Sequence, residues 1–218
     1  MFRMILYTQW KWSRLVVLPA VLAGFALPLL SVQLATRTEL NRWQVRGLLD
    51  SVASWGVFYP VLAATLAVLL AITAWGSDHR GKHVYALSLP VPRWHYALLR
   101  LGAGAVLLVA PVVALWIGAL LATASASIPA GLHADPTALA LRFALATLVA
   151  YTIVFSISAG TTRTAGYILA AVAVVFAVQV LVKVAGVNIN LVGTIIDRIQ
   201  IWPGPLEIFT GRWMLIDV

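Results

Sequence analysis

The chain contains no cysteine, so disulfides, thiolate nucleophiles and thiolate metal sites are excluded. Charge is scarce as well: only 10% of the 218 residues are charged, and 7 are acidic. No pair of acids lies inside an apolar run, which leaves no aspartyl-type proteolytic chemistry. No GxxxxGK[ST] string is present, so the chain cannot hold ATP by that route. The string SISAG, residues 156–160, lacks the residue pattern of a nucleophile elbow.

What the chain has in abundance is apolar side chain. It is 62% hydrophobic with a mean hydropathy of +0.96, whereas soluble domains run to about half apolar and about a quarter charged. Several runs reach the roughly 20 residues that cross a bilayer core as a helix. Lipid offers no hydrogen bonds, so a spanning backbone forms helices or a closed barrel. Runs such as VLAATLAVLLAITAW show no period-two alternation, which excludes the barrel. The expected fold is therefore all-α, a polytopic helical membrane protein.

Five crossings are expected in a single domain: Leu15–Ala35, Val57–Trp75, Ala97–Ala122, Ala138–Ser158 and Ala165–Val182. Pro19 and Pro28 should kink the first rather than break it. Residues 1–14 have two readings. Phe2, Ile5, Leu6 and Trp10 dip into lipid while Arg3, Lys11 and Arg14 stay at the headgroups, as in an interfacial helix; equally, the stretch is the flank of the first span. No small-residue cleavage site ends the following run, so a cleavable signal peptide is not expected. Residues 187–218 read as one or two interfacial or re-entrant helices, because Leu191–Ile201 is short and carries Asp197 and Arg198. Small residues, among them Ala63, Ala67 and Ala71, are spaced to let helices approach closely.

The net charge is +8, but the basic residues border the apolar runs, where anchors to anionic lipid headgroups belong. Nucleic acid is not an expected partner. Arg142 and Lys183 lie at or inside apolar runs. Each either snorkels to an interface or contributes to binding an anionic or amphipathic substrate.

Between the second and third spans lies a polar strip, Ser77 to Arg93, reading SDHRGKHVYALSLPVPR. It has a charged turn, a short apolar-faced segment over Val84–Leu89, and a proline-bracketed basic exit. Gly81 permits a sharp bend and Pro90 ends a helix, so the segment reads as a short rigid peg. Val84, Leu87 and Tyr85 form an apolar face, while Arg80, Lys82 and Arg93 offer charge-assisted contacts to an acidic rim. His79, His83 and His95 are the only cluster with a metal-like look. Asp78 alone accompanies them and cationic neighbours surround them, so no metal is expected.

LSLPVPRWHYALLR resembles the segment after the second membrane helix of ABC-2 type transporter permeases, the transmembrane subunits of ABC exporters. That family shows an acidic–basic turn, a glycine, a short apolar helix ending Leu-x-Leu-Pro-Val-x-Arg, and a basic residue opening the third helix. Gly81, Leu87, Leu89, Pro90, Val91, Arg93 and Arg100 occupy those places, with Asp78 near the acidic position. Arg80 and Lys82 depart from it, standing where the family often has a second acid and a threonine. The resemblance implies six membrane helices, so either a sixth follows residue 218 or this is a five-helix variant, and it implies an extracytoplasmic segment corresponding to 187–218. It implies that the strip is a coupling helix seated in a separate ATP-binding cassette subunit, which would hold ATP and Mg²⁺. It also implies a second permease subunit and export of a hydrophobic or amphipathic substrate. The setting would be the bacterial cytoplasmic membrane, with a cytoplasmic N-terminus and with membrane lipids as further contacts. The chain itself would be no enzyme. The rival expectation is a membrane anchor or assembly subunit that transports nothing.

Overall fold

The computed structural model describes residues 1–38, 54–80, 92–125, 133–160 and 191–201, with parts of 167–179 and 204–217. Four helices in it are long and apolar enough to cross a membrane. They belong to α1 (Phe2–Thr38), α2 (Phe58–Arg80), α3 (Arg93–Ser125) and α4 (Pro136–Ser158). The protein is an all-α polytopic membrane protein. Two compact units form, Met1–Phe155 with Arg212–Val218, and Ser156–Gly211.

Four of the five expected spans are present, and their helices run past them; the fifth, Ala165–Val182, lies only partly within the described residues. α1 is one unbroken helix of 37 residues, so residues 2–14 continue the first span without a break. At about 1.5 Å per residue it extends to roughly 55 Å, against a hydrocarbon core of about 30 Å. Gln9, Ser13, Val17 and Ala20 are its buried positions near the N-terminus, a three-to-four spacing that defines one helix face. Tyr7, Leu15, Leu18 and Leu22 are exposed on the rest of its surface, the side suited to lipid.

Glycines decide how closely α1 meets α3. A Cβ on Gly24 would stand 3.1 Å from the Pro111 carbonyl oxygen, and one on Gly118 would collide with the Phe25 backbone. Gly102 faces Phe2 across the same seam. Position numbers rise together along both helices, so α1 and α3 run parallel. Tyr59 at the start of α2 is wholly buried, as are Ala63, Ala67 and Ala71. These alanines pack within the four helices, as their size permits.

One pairing lay outside the sequence-based expectation. β1 (His133–Ala134), just before α4, pairs antiparallel with β2 (Ile216–Asp217) in the register His133–Asp217 and Ala134–Ile216. The Asp135 N–H extends the ladder to the Leu215 carbonyl at 3.2 Å. The final residues thereby return to the end at which α4 begins. α4 itself is 23 residues long, about 35 Å.

Within the second unit, α5 (Leu191–Gln200) is the short helix expected in the tail. Its Val192 N–H donates to Gln179 Oε1 at 3.3 Å, which satisfies a helix-start donor. The chain then reverses at Gly204, where a Cβ would clash with the Ile199 carbonyl, and continues into a 3-10 turn at Glu207–Phe209.

Candidate functional site

α2 and α3 lead into and out of the polar strip. Ser77–Arg80, expected as a charged turn, instead continue α2 to Arg80. Nothing in Gly-Ser-Asp-His-Arg removes a backbone donor, so the helical hydrogen bonds run on. Asp78 and Arg80 therefore belong to the last turn of α2. α3 likewise starts earlier than expected, at Arg93. The Pro92 carbonyl accepts from the His95 and Tyr96 N–H groups at 3.0 and 3.2 Å, which opens the helix where a proline is well tolerated. The strip positions Gly81, Val84, Leu87, Leu89 and Pro90 lie outside the described residues, as does Lys183.

Immediately behind the strip lies a buried cluster to which all four helices contribute. Arg100 of α3 is only 6% exposed, and its Nη1 donates to the Tyr96 hydroxyl at 2.7 Å. Its guanidinium carbon stands 5.1 Å from the ring centre of Trp75 on α2 and 5.4 Å from that of Tyr96. A cation in that position is attracted by the ring quadrupole, worth about 0.5–2 kcal/mol per ring depending on desolvation. Trp75 then meets Phe155 of α4 at 5.2 Å between ring centres, and Phe155 meets Tyr151 at 5.5 Å.

Gly104 completes the cluster. A Cβ there would collide with the Tyr151 hydroxyl and crowd Gln9 Nε2 of α1. The missing side chain thus makes room for a tyrosine and an amide at the centre of four helices. Ser13 and Thr147 return their hydroxyls to carbonyls one turn back, at 2.7 and 2.6 Å, so they need no further partner. The Gln9 amide stands beside the Tyr151 hydroxyl, while the Trp75 indole N–H is buried without a hydrogen bond. Such an arrangement offers no nucleophile–base pair. The Arg100 cation links α2 and α3 near their strip ends through the rings of Trp75 and Tyr96.

Arg100 was legible from the sequence as the basic residue opening the third helix. Gln9, Trp75, Tyr96, Gly104 and Tyr151 were not. The readable hints were Tyr96 and Arg100 at i, i+4 and a glutamine at an inward position of α1. Of the histidine cluster, His79 belongs to the last turn of α2, His95 is exposed beside Trp94 at 5.5 Å between ring centres, and His83 lies outside the described residues.

At the opposite end of the helices, Arg142 is half-buried with its guanidinium 4.6 Å from the ring centre of Trp213. Gly56 at the start of the second span admits the Trp213 backbone, for a Cβ there would strike its carbonyl. Arg142 is thus held against an aromatic face in the terminal segment, a partner that sequence reading did not assign to it. Comparison with known proteins finds no family model, no curated protein and no solved structure that matches the chain.

Proposed function

We propose that the chain is the membrane subunit of an ABC-2 type export system, in which a separate ATPase subunit moves the strip and the helices behind it. The observation that carries this reading is the position of Arg100. It bridges Trp75, five residues before the end of α2, and Tyr96, three residues after the start of α3. A displacement of the Gly81–Pro90 peg would therefore reach α2 and α3 jointly, as rigid-body motion rather than separate bending. Asp78, Arg80, Val84, Leu87, Leu89 and Arg93 are the contact residues this coupling uses, and all act by transmission.

ATP and Mg²⁺ belong to the partner chain in this reading, and a second permease subunit supplies the other half of the path. The substrate class is hydrophobic or amphipathic, in keeping with walls built of alanine, leucine and valine. The N-terminus and the strip are cytoplasmic, while β1, β2 and the terminal segment lie on the far side. A fifth crossing between Ser158 and Trp213 satisfies that arrangement, since the terminal segment returns to the end where α4 starts.

The test is Arg100→Met in the assembled complex. Methionine keeps much of the stem while removing the charge and its hydrogen bond. Assembly should persist, and substrate-stimulated ATP turnover should fall about tenfold, the scale of about 1.4 kcal/mol lost from the clamp. Stimulated turnover equal to wild type would refute transmission through Arg100.

A further inference from the structure

At the end carrying β1 and β2, a cavity of about 200 Å³ is lined by Asp135, Leu139, Arg142, Trp213, Met214 and Leu215, with Ala138 beside them. Two opposite charges stand among apolar walls. Positions 138, 139 and 142 follow the spacing of one face of α4, and Asp135 stands immediately before the helix, at the same end. Arg142 is fixed by its stacking on Trp213, and its five N–H donors exceed what one partner consumes. The Trp213 side chain, itself buried, forms part of the cavity wall. Asp135 is exposed at the mouth.

We propose that this cavity binds the phosphoethanolamine headgroup of a phospholipid. The phosphate takes the Arg142 guanidinium, and the ammonium takes the Asp135 carboxylate. The charge pair selects the ligand. A headgroup without a cation leaves Asp135 repelling it, and a quaternary ammonium has no hydrogen to donate. Size agrees, since a pocket that engulfs a drug-sized molecule measures about 300–1,000 Å³, more than this cavity holds. Beside it, Leu141, Leu145 and Leu148 are exposed on α4 at i, i+4 and i+7, an apolar stripe along which acyl chains can lie. The site does not depend on the coupling role proposed above.

The experiment reconstitutes the full chain in nanodiscs of equal phosphatidylethanolamine and phosphatidylglycerol. Lipid retained on transfer to detergent is then identified by native mass spectrometry. Wild type should retain phosphatidylethanolamine over phosphatidylglycerol about fivefold, the scale of one exposed charge contact. Asp135→Asn should abolish that preference while total retained phospholipid stays the same, and Arg142→Gln should lose both lipids. Equal retention by the wild type, or an unchanged preference in Asp135→Asn, overturns the site. Asp135→Asn is an exposed change and decides the matter even where Arg142→Gln does not fold. A parallel arm adds soluble phosphoethanolamine. Failure to displace the lipid supports a membrane-borne ligand, whereas binding of the soluble compound with no lipid retained overturns it.

Discussion

Gly104 and Gly76 are both helical glycines with opposite surroundings. A Cβ at Gly104 meets Tyr151 and Gln9, while a Cβ at Gly76 meets nothing within 4 Å. Gly104→Ala should therefore lower stability by about 1–3 kcal/mol, the usual cost of forcing extra volume into a packed interior. Gly76→Ala should raise stability by about 0.5–1 kcal/mol through the reduced backbone freedom of the unfolded chain. Thermal unfolding in detergent, tracked by tryptophan fluorescence, reads both signs; equal shifts would show that the cluster is not packed around Gly104. At this scale the sequence was only partly legible. Arg100 drew notice because charge is rare in such a chain, but the groups around it are the aromatics Trp75 and Tyr96. Those residue types occur throughout membrane helices, and nothing in their spacing says which ones converge from four different helices.

α2, α3 and α4 were legible to within a turn or two, because a bilayer demands long apolar runs whose backbone bonds itself, whereas α1 begins at Phe2, well before the expected Leu15. Their ends were not. Hydropathy locates where lipid stops, while a helix stops where its hydrogen bonds fail, which is why α2 runs on to Arg80 and α3 begins at Arg93. The β1–β2 pair was beyond sequence reading for a different reason: two strands of two residues, far apart in the chain, leave no periodic trace. Its register is directly testable, since the chain has no cysteine of its own. Ala134 and Ile216 are paired, and antiparallel partners have Cα atoms about 4.5–5.5 Å apart, within disulfide reach. The double variant Ala134→Cys/Ile216→Cys should cross-link under mild oxidation, whereas Ala134→Cys/Met214→Cys should link less efficiently. Reversed efficiencies would mean a shifted register. For the parallel pair α1 and α3, Gly118→Val should force the Phe25 backbone away and lower stability by about 1–3 kcal/mol, measured by the same melt.

For the whole molecule, two sets of features occupy opposite ends of the helices. Arg100, Trp75, Gln9 and Tyr151 lie behind the polar strip; Arg142, Trp213 and the strand pair lie where α4 begins. In the proposed reading, the first end receives motion and the second meets lipid. If the N-terminus and strip are cytoplasmic, a membrane-impermeant maleimide applied from outside should label His133→Cys and leave Thr8→Cys untouched until the membrane is permeabilised. The central claim is that the Leu87–Leu89 face of the strip seats in an ATPase subunit. Its most direct measurement is affinity purification of the tagged chain from its native membrane, wild type against Leu87→Asp/Leu89→Asp, with the co-purifying proteins identified and ATP hydrolysis assayed. Wild type should bring down a Walker-motif ATPase with active hydrolysis, and the double variant should lose it while inserting normally. An ATPase retained equally by both, with unchanged hydrolysis, would contradict coupling through the strip.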